Sequence, residues 1–183
     1  MPYLEDIDSF SSNLLEEAKR FLERAKDTSD EVAEAAYLHA ALLIAFSALE
    51  AQVNSVSDDM SLASGLHAHE LSILNEKEVR LEDGSFVVNN SLKIYRLEDR
   101  LMFLFSRFSR NGYLKGNDWM AHLRSATKLR NDLTHPKGIP VITIVAVETA
   151  IIAIIDTLSA LYKAVYKTDF PGSGKGINSK LDF

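Results

Sequence analysis

The run Ala40-Ala41-Leu42-Leu43-Ile44-Ala45-Phe46-Ser47-Ala48-Leu49-Glu50-Ala51 decides the fold. It holds no glycine or proline and is apolar nearly all round at helical spacing. A helix of that kind has to be surrounded, so the run predicts the central helix of a helical domain. Glu50 and Asn54, one turn apart, are its polar exceptions. They read either as a helix end facing solvent or another helix, or as groups standing behind an active site.

Outward from this run the chain reads as all-α, with about six helices and one small β-hairpin. Upstream, Phe10, Leu14, Ala18, Phe21, Leu22 and Ala25 make an apolar face over residues 7–26, helix 1. Asp27-Thr28-Ser29-Asp30 breaks it, and Thr28 with Glu31 can form a capping box for helix 2, which runs to about Val56. Helix 3 is expected around Met60–Asn75. Its His67 and His69 are two apart, on nearly opposite sides of a helix, and read as surface or packing residues rather than metal ligands.

Around Val79–Val88 the period changes from helical to alternating, with Asp83-Gly84 between two short runs. That is a hairpin signal. Helix 4 is expected at about Ser91–Arg110, with Ile94, Leu97, Leu101, Leu104, Phe105 and Phe108 inward. Lys93, Arg96, Arg100, Arg107 and Arg110 then fall within an arc of roughly 100°. Phe103 lies beside that arc. A basic stripe with an aromatic suits single-stranded nucleic acid; a solvated face paired with acids is the other reading.

Residues 111–117 read as a loop. Helix 5, capped by Asn117 or Asp118, packs through Trp119, Met120, Leu123, Ala126 and Leu133, and presents Arg124 and Lys128. Helix 6 follows Pro140. Its run Val141–Ile155 is interrupted by Glu148 and is read as a buried helix with apolar surface to spare for a dimer, not as a membrane span. One domain is expected over residues 1–167, with a loose tail over 168–183. The tail's Gly174-Lys175 lacks the serine or threonine of a phosphate loop.

Charge is uneven. Over residues 1–92, 6 Lys/Arg face 18 Asp/Glu, whereas residues 93–137 carry 10 against 4, within a chain of net charge −6. A local positive block attracts phosphates even on an acidic chain. The absence of cysteine excludes disulfides and thiolate zinc sites. With an acidic N-terminus that has no signal-peptide pattern, it points to the cytoplasm.

The basic block ends in Arg130-Asn131-Asp132-Leu133-Thr134-His135-Pro136. On an ideal helix, residues five apart lie about 140° around the axis. Pro136 biases His135 out of the helical region, so the histidine is expected to swing toward the arginine. Histidine titrates near neutral pH and suits proton transfer. Arginine offers a fixed cationic fork to phosphate oxygens. The bland reading has Arg130 paired with an acid and His135 at a helix C-terminus, where a cation is favoured.

Arg130-Asn131 followed four residues later by His135 resembles the R-x4-6-H motif of the HEPN superfamily (higher eukaryotes and prokaryotes nucleotide-binding). Tyr37–Asn54 resembles the second helix of many of its members. The resemblance implies an up-and-down helical bundle and a metal-independent endoribonuclease needing no cofactor. Its products would be a 2′,3′-cyclic phosphate and a 5′-hydroxyl. Arg130, Asn131 and His135 would be catalytic in a composite site of a homodimer. Lys93, Arg96, Arg100, Arg107, Arg110, Arg124 and Lys128 would hold RNA, with Glu50 and Asn54 behind them. A toxin–antitoxin or phage-defence setting, with a cognate antitoxin as partner and no membrane, is implied too. A non-catalytic HEPN-like module binding a nucleotide, RNA or a protein stays open as the alternative.

Overall fold

A computed structural model describes residues 2–109 and 118–183. Its described residues form six helices and one two-stranded antiparallel sheet: α1 (Pro2–Asp27), α2 (Glu31–Ser61), α3 (Ala68–Asn75), β1 (Lys77–Glu82), β2 (Ser85–Leu92), α4 (Leu97–Phe108), α5 (Asp118–Thr134) and α6 (Ile144–Val165). The chain is a helical bundle with a hairpin. The predicted loop at 111–117 lies outside the described residues.

The apolar run does what its pattern requires. α2 packs on each of the other five helices, and Leu38, Leu42, Leu49 and Val53 are fully buried along it. Three residues link it to α1. Its cap is Asp30 rather than Thr28: the Asp30 carboxylate accepts from the Val32 and Ala33 N–H groups at 2.9 and 3.2 Å. Thr28 instead accepts from the Asp30 N–H at 3.2 Å. Aspartate directly before the first helical residue can reach those donors, so it takes the cap. On α1, Ala18, Leu22 and Ala25 are buried as expected, and Leu15 joins them, but Phe10 is left 58% exposed.

α6 begins at Ile144, where the Thr143 hydroxyl accepts from the Ala146 N–H. α2 and α6 pack on each other at the centre of the core. By length and composition both are also long and apolar enough to cross a membrane. Their polar groups are matched inside the bundle: the Tyr162 hydroxyl donates to Gln52 at 2.6 Å, and Gln52 donates onward to Ser11.

The hairpin is longer than its sequence signal. Val79 faces Val88 and Leu81 faces Phe86 in the antiparallel register. Asp83 and Gly84 both have positive φ, 48° and 79°, as a two-residue type I′ turn requires. β2 continues through Ser91 and Leu92, and the Lys93 N–H still donates to the Glu76 carbonyl at 2.8 Å. That pairing takes the first turn away from helix 4, which starts only at Leu97. Ile94, expected in the core, is therefore 77% exposed. Helix 3 also loses its start: α2 runs on to Ser61, and α3 begins only at Ala68.

The expected loose tail lies along α1. Phe170 is buried against Tyr162. The Ser179 N–H donates to Glu23 and its hydroxyl to the Glu16 carbonyl, each at 2.8 Å. Phe183 packs edge-on against Phe21.

Candidate functional site

α2, the hairpin exit, the start of α4 and the end of α5 converge on Arg130. Two recesses flank its side chain. One, of about 200 Å³, is bounded by Arg96, Leu97, Glu98, Arg124 and Asn131. The other, of about 460 Å³, is bounded by Glu50, Asn54, Leu92, Tyr95, Arg96 and Arg100. The Arg130 guanidinium rests over the Phe46 ring, 5.1 Å from its centroid. Its one ion pair is to Glu50, at 3.4 Å, and its Nε is buried without a partner among the described residues. A guanidinium has five N–H donors, so most of its capacity stays uncommitted.

Glu50, half-exposed, pairs with the motif arginine. Asn54 serves a different arginine: its side-chain oxygen accepts from Arg100 at 2.6 Å. Arg100 also donates to the Ser57 hydroxyl at 3.1 Å and the Leu74 carbonyl at 3.3 Å, and pairs with Glu76 at 3.1 Å. It is only 6% exposed, so it forms the floor of the larger recess and not part of a solvent-facing stripe. Burial lowers its pKa, and the charges of Glu76, Asp58 and Glu50 oppose that shift.

The stripe expected along helix 4 is not assembled. Lys93 and Arg96 precede the helix. The Lys93 ammonium lies 4.9 Å from the Tyr95 ring centroid. Arg96, at the N-cap, is exposed. Arg107 donates to Glu70 at 2.7 Å and to the Gly65 carbonyl at 3.3 Å. Arg124 donates to Glu98 at 2.8 Å, and Lys128 to Asp132 at 2.7 Å. Phe103 is half-buried, edge-on to Phe108. Arg110 lies outside the described residues. Acids distant in sequence, Glu70 and Glu98, take up Arg107 and Arg124, and Asp132, one turn on, takes up Lys128.

Glu70 itself is held below the ordinary carboxylate range, first by the His67 backbone N–H and then by Arg107. His67 precedes the first residue of α3, and His69 lies tilted against Phe86, ring centroids 4.8 Å apart; both are exposed surface residues.

His135 does not make the expected swing. Its N–H donates to the Asn131 carbonyl at 2.8 Å, which carries the helical track up to the proline. Its side chain is exposed and borders neither recess. The structure therefore groups Arg130, Asn131, Glu50 and Arg96, and leaves His135 at the rim of the same helix end. Beyond it Ile139, Val141 and Val145 are 97%, 84% and 73% exposed.

Sequence reasoning missed Phe46, Glu76 and Tyr95. Phe46 looked like any core residue. Glu76 and Tyr95 join the site because the hairpin returns the chain beside its own start: the Tyr95 N–H donates to Glu76 at 3.2 Å, and the Tyr95 hydroxyl lies 2.8 Å from Ser72.

Comparison of the chain with protein-family models, with curated proteins and with solved structures finds no match.

Proposed function

We propose that this chain is a metal-independent endoribonuclease of the HEPN type, acting as a homodimer in the cytoplasm. The observation that carries the reading is the state of Arg130: a cation held in place by Phe46 and Glu50, open to two recesses, with most of its donors unused. Asn131 on the same helix end adds a neutral donor and acceptor. In the reaction, the 2′-hydroxyl of one ribose loses its proton and its oxygen attacks the adjacent phosphorus. The bond from phosphorus to the 5′-oxygen breaks, and that oxygen gains a proton. A cyclic phosphate and a 5′-hydroxyl remain. Arg130 stabilises the charge gathered on the phosphorane. His135 moves a proton.

One exposed histidine that borders neither recess does not complete such a site. A second copy related by a two-fold axis supplies a second His135 and a second Arg130. The exposed Ile139, Val141 and Val145 next to the motif support an interface at that place. A toxin–antitoxin or phage-defence role, with a cognate antitoxin as partner, belongs to the same reading. A second reading, a non-catalytic HEPN-like module for a nucleotide, RNA or protein, draws support from the pairing of Arg107, Arg124 and Lys128 with acids.

Cleavage of labelled RNA in chelator by the wild type and by His135→Ala separates the two. Cyclic-phosphate ends that vanish in the variant support the enzyme. Absence of cleavage by a folded dimer over a broad RNA panel supports the binding module. Equal cleavage by the variant removes His135 from the chemistry.

A further inference from the structure

The larger recess has a wall that the cleavage reaction does not use. β2 and its exit place Leu92 and Ile94, 70% and 77% exposed, on the rim of a cavity floored by the Arg100–Glu76 ion pair. Leu97 and Tyr95 continue that wall, and Arg96 and Arg130 stand at the end shared with the smaller recess. Two further features point to an anionic ligand. Arg96 gives the N-terminus of α4 no side-chain cap, and that helix start lines the same junction. Arg130 has donors to spare beyond its ion pair with Glu50.

A phosphate alone does not account for the apolar wall. At about 460 Å³ the recess lies in the roughly 300–1,000 Å³ range of small-molecule sites. Its make-up, apolar on one side and cationic at one end, fits a ring joined to a phosphate. Glu50, half-exposed at the edge, offers a carboxylate oxygen to hydroxyl or amino groups of such a ligand.

We propose that the hairpin exit is the wall of a nucleotide subsite. The base and ribose of one RNA nucleotide lie against Leu92, Ile94 and Leu97, and Arg96 and Arg130 take its phosphate. This rests on the reading of Arg130 as a phosphate ligand. It gives the hairpin a task, selecting which nucleotide flanks the cleaved bond, that the cleavage chemistry itself does not require.

The test is titration of the full chain with each of the four nucleoside 5′- and 3′-monophosphates and with inorganic phosphate, followed by amide NMR shifts. At least one nucleotide is expected to bind about tenfold more tightly than phosphate, the contribution of a partly buried ring. Leu92→Ser with Ile94→Ser, at two exposed positions that the core does not need, should reduce that preference to below about twofold and leave phosphate affinity unchanged. Arg96→Gln should weaken nucleotide and phosphate alike. Equal affinity for nucleotides and phosphate in the wild type overturns the subsite, as does a double-serine variant that keeps the wild-type preference. Nucleotide preference without any RNA cleavage overturns the ribonuclease and leaves the subsite standing. Cleavage without nucleotide preference does the reverse.

Discussion

Arg100 and Arg130 both border the larger recess, yet they are in opposite states. Arg100 is 6% exposed and donates to Asn54, Ser57 and the Leu74 carbonyl while pairing with Glu76. It joins α2, the end of α3 and the start of the hairpin to α4. Arg130 sits on an aromatic ring with one 3.4 Å ion pair. A buried guanidinium is tolerable only when nearly all its donors are engaged. A half-buried one with donors to spare can exchange water for a ligand's oxygens. The difference between structural and ligand-ready arginines is thus set by how many acceptors the fold brings to each.

The most severe test of that contrast is Arg100→Met. Removing the charge strands Glu76 and leaves Asn54, Ser57 and the Leu74 carbonyl short of a donor. We expect a loss of about 3–5 kcal/mol, read by urea unfolding. A loss below about 1 kcal/mol would mean that Arg100 is not the clamp described.

Arg130→Gln should invert the pattern. If the proposed ribonuclease reading holds, RNA cleavage should fall by about 10²–10³-fold, the scale for one lost charge-stabilising donor. Stability should change by less than about 1 kcal/mol, because the ion pair given up is partly exposed. A destabilisation as large as that of Arg100→Met would make Arg130 structural as well.

Glu50→Gln sharpens the comparison further. It keeps an acceptor for Arg130 but removes the charge. Unfolding should move by less than about 1 kcal/mol, while affinity for inorganic phosphate rises, because a competing anion has gone. Unchanged phosphate affinity would separate Glu50 from the function of Arg130.

The smallest effect concerns Arg107, a surface cation that does have its acid. Glu70 titrates below its ordinary value of 4.5, through the His67 N–H first and Arg107 second. A depressed folded pKa contributes stability that is full above the unfolded value and is lost as pH falls through the folded one. Glu70→Gln should therefore destabilise the chain more at pH 7 than at pH 2, by a few tenths of a kcal/mol. Equal destabilisation at both values would assign the effect to the cap geometry alone.

How much of this was legible varied with the range of the interaction. The central helix followed from an uninterrupted apolar run, and the hairpin from Asp83-Gly84, because both signals lie within a few residues. The hairpin's length did not follow. Asn89, Asn90 and Ser91 carry no alternation; they fall in a register shift between the Val79–Val88 and Lys77–Leu92 pairs, and β2 runs on because pairing with β1 resumes at Leu92. That extension pulled Lys93 and Arg96 off the helix and dissolved the expected stripe. The fate of Arg107 depended on Glu70, 37 positions away, and Arg100 on Asn54, 46 positions away. Such partners leave no periodic trace. The tail's glycines suggested looseness, but Phe170 and Ser179 found acceptors and packing on α6 and α1 that composition does not reveal.

The sequence by itself determined a helical bundle around residues 40–51, a hairpin turning at Asp83-Gly84, and the placement of Arg130, Asn131 and His135 together at one helix end. These depend on side-chain spacing and turn chemistry, which act locally. Only the tertiary structure decided which arginine is clamped and which stays open, and that His135 stays exposed and borders neither recess. Those outcomes depend on acceptors delivered from distant parts of the chain, because a charge's role is fixed by the groups that replace its water.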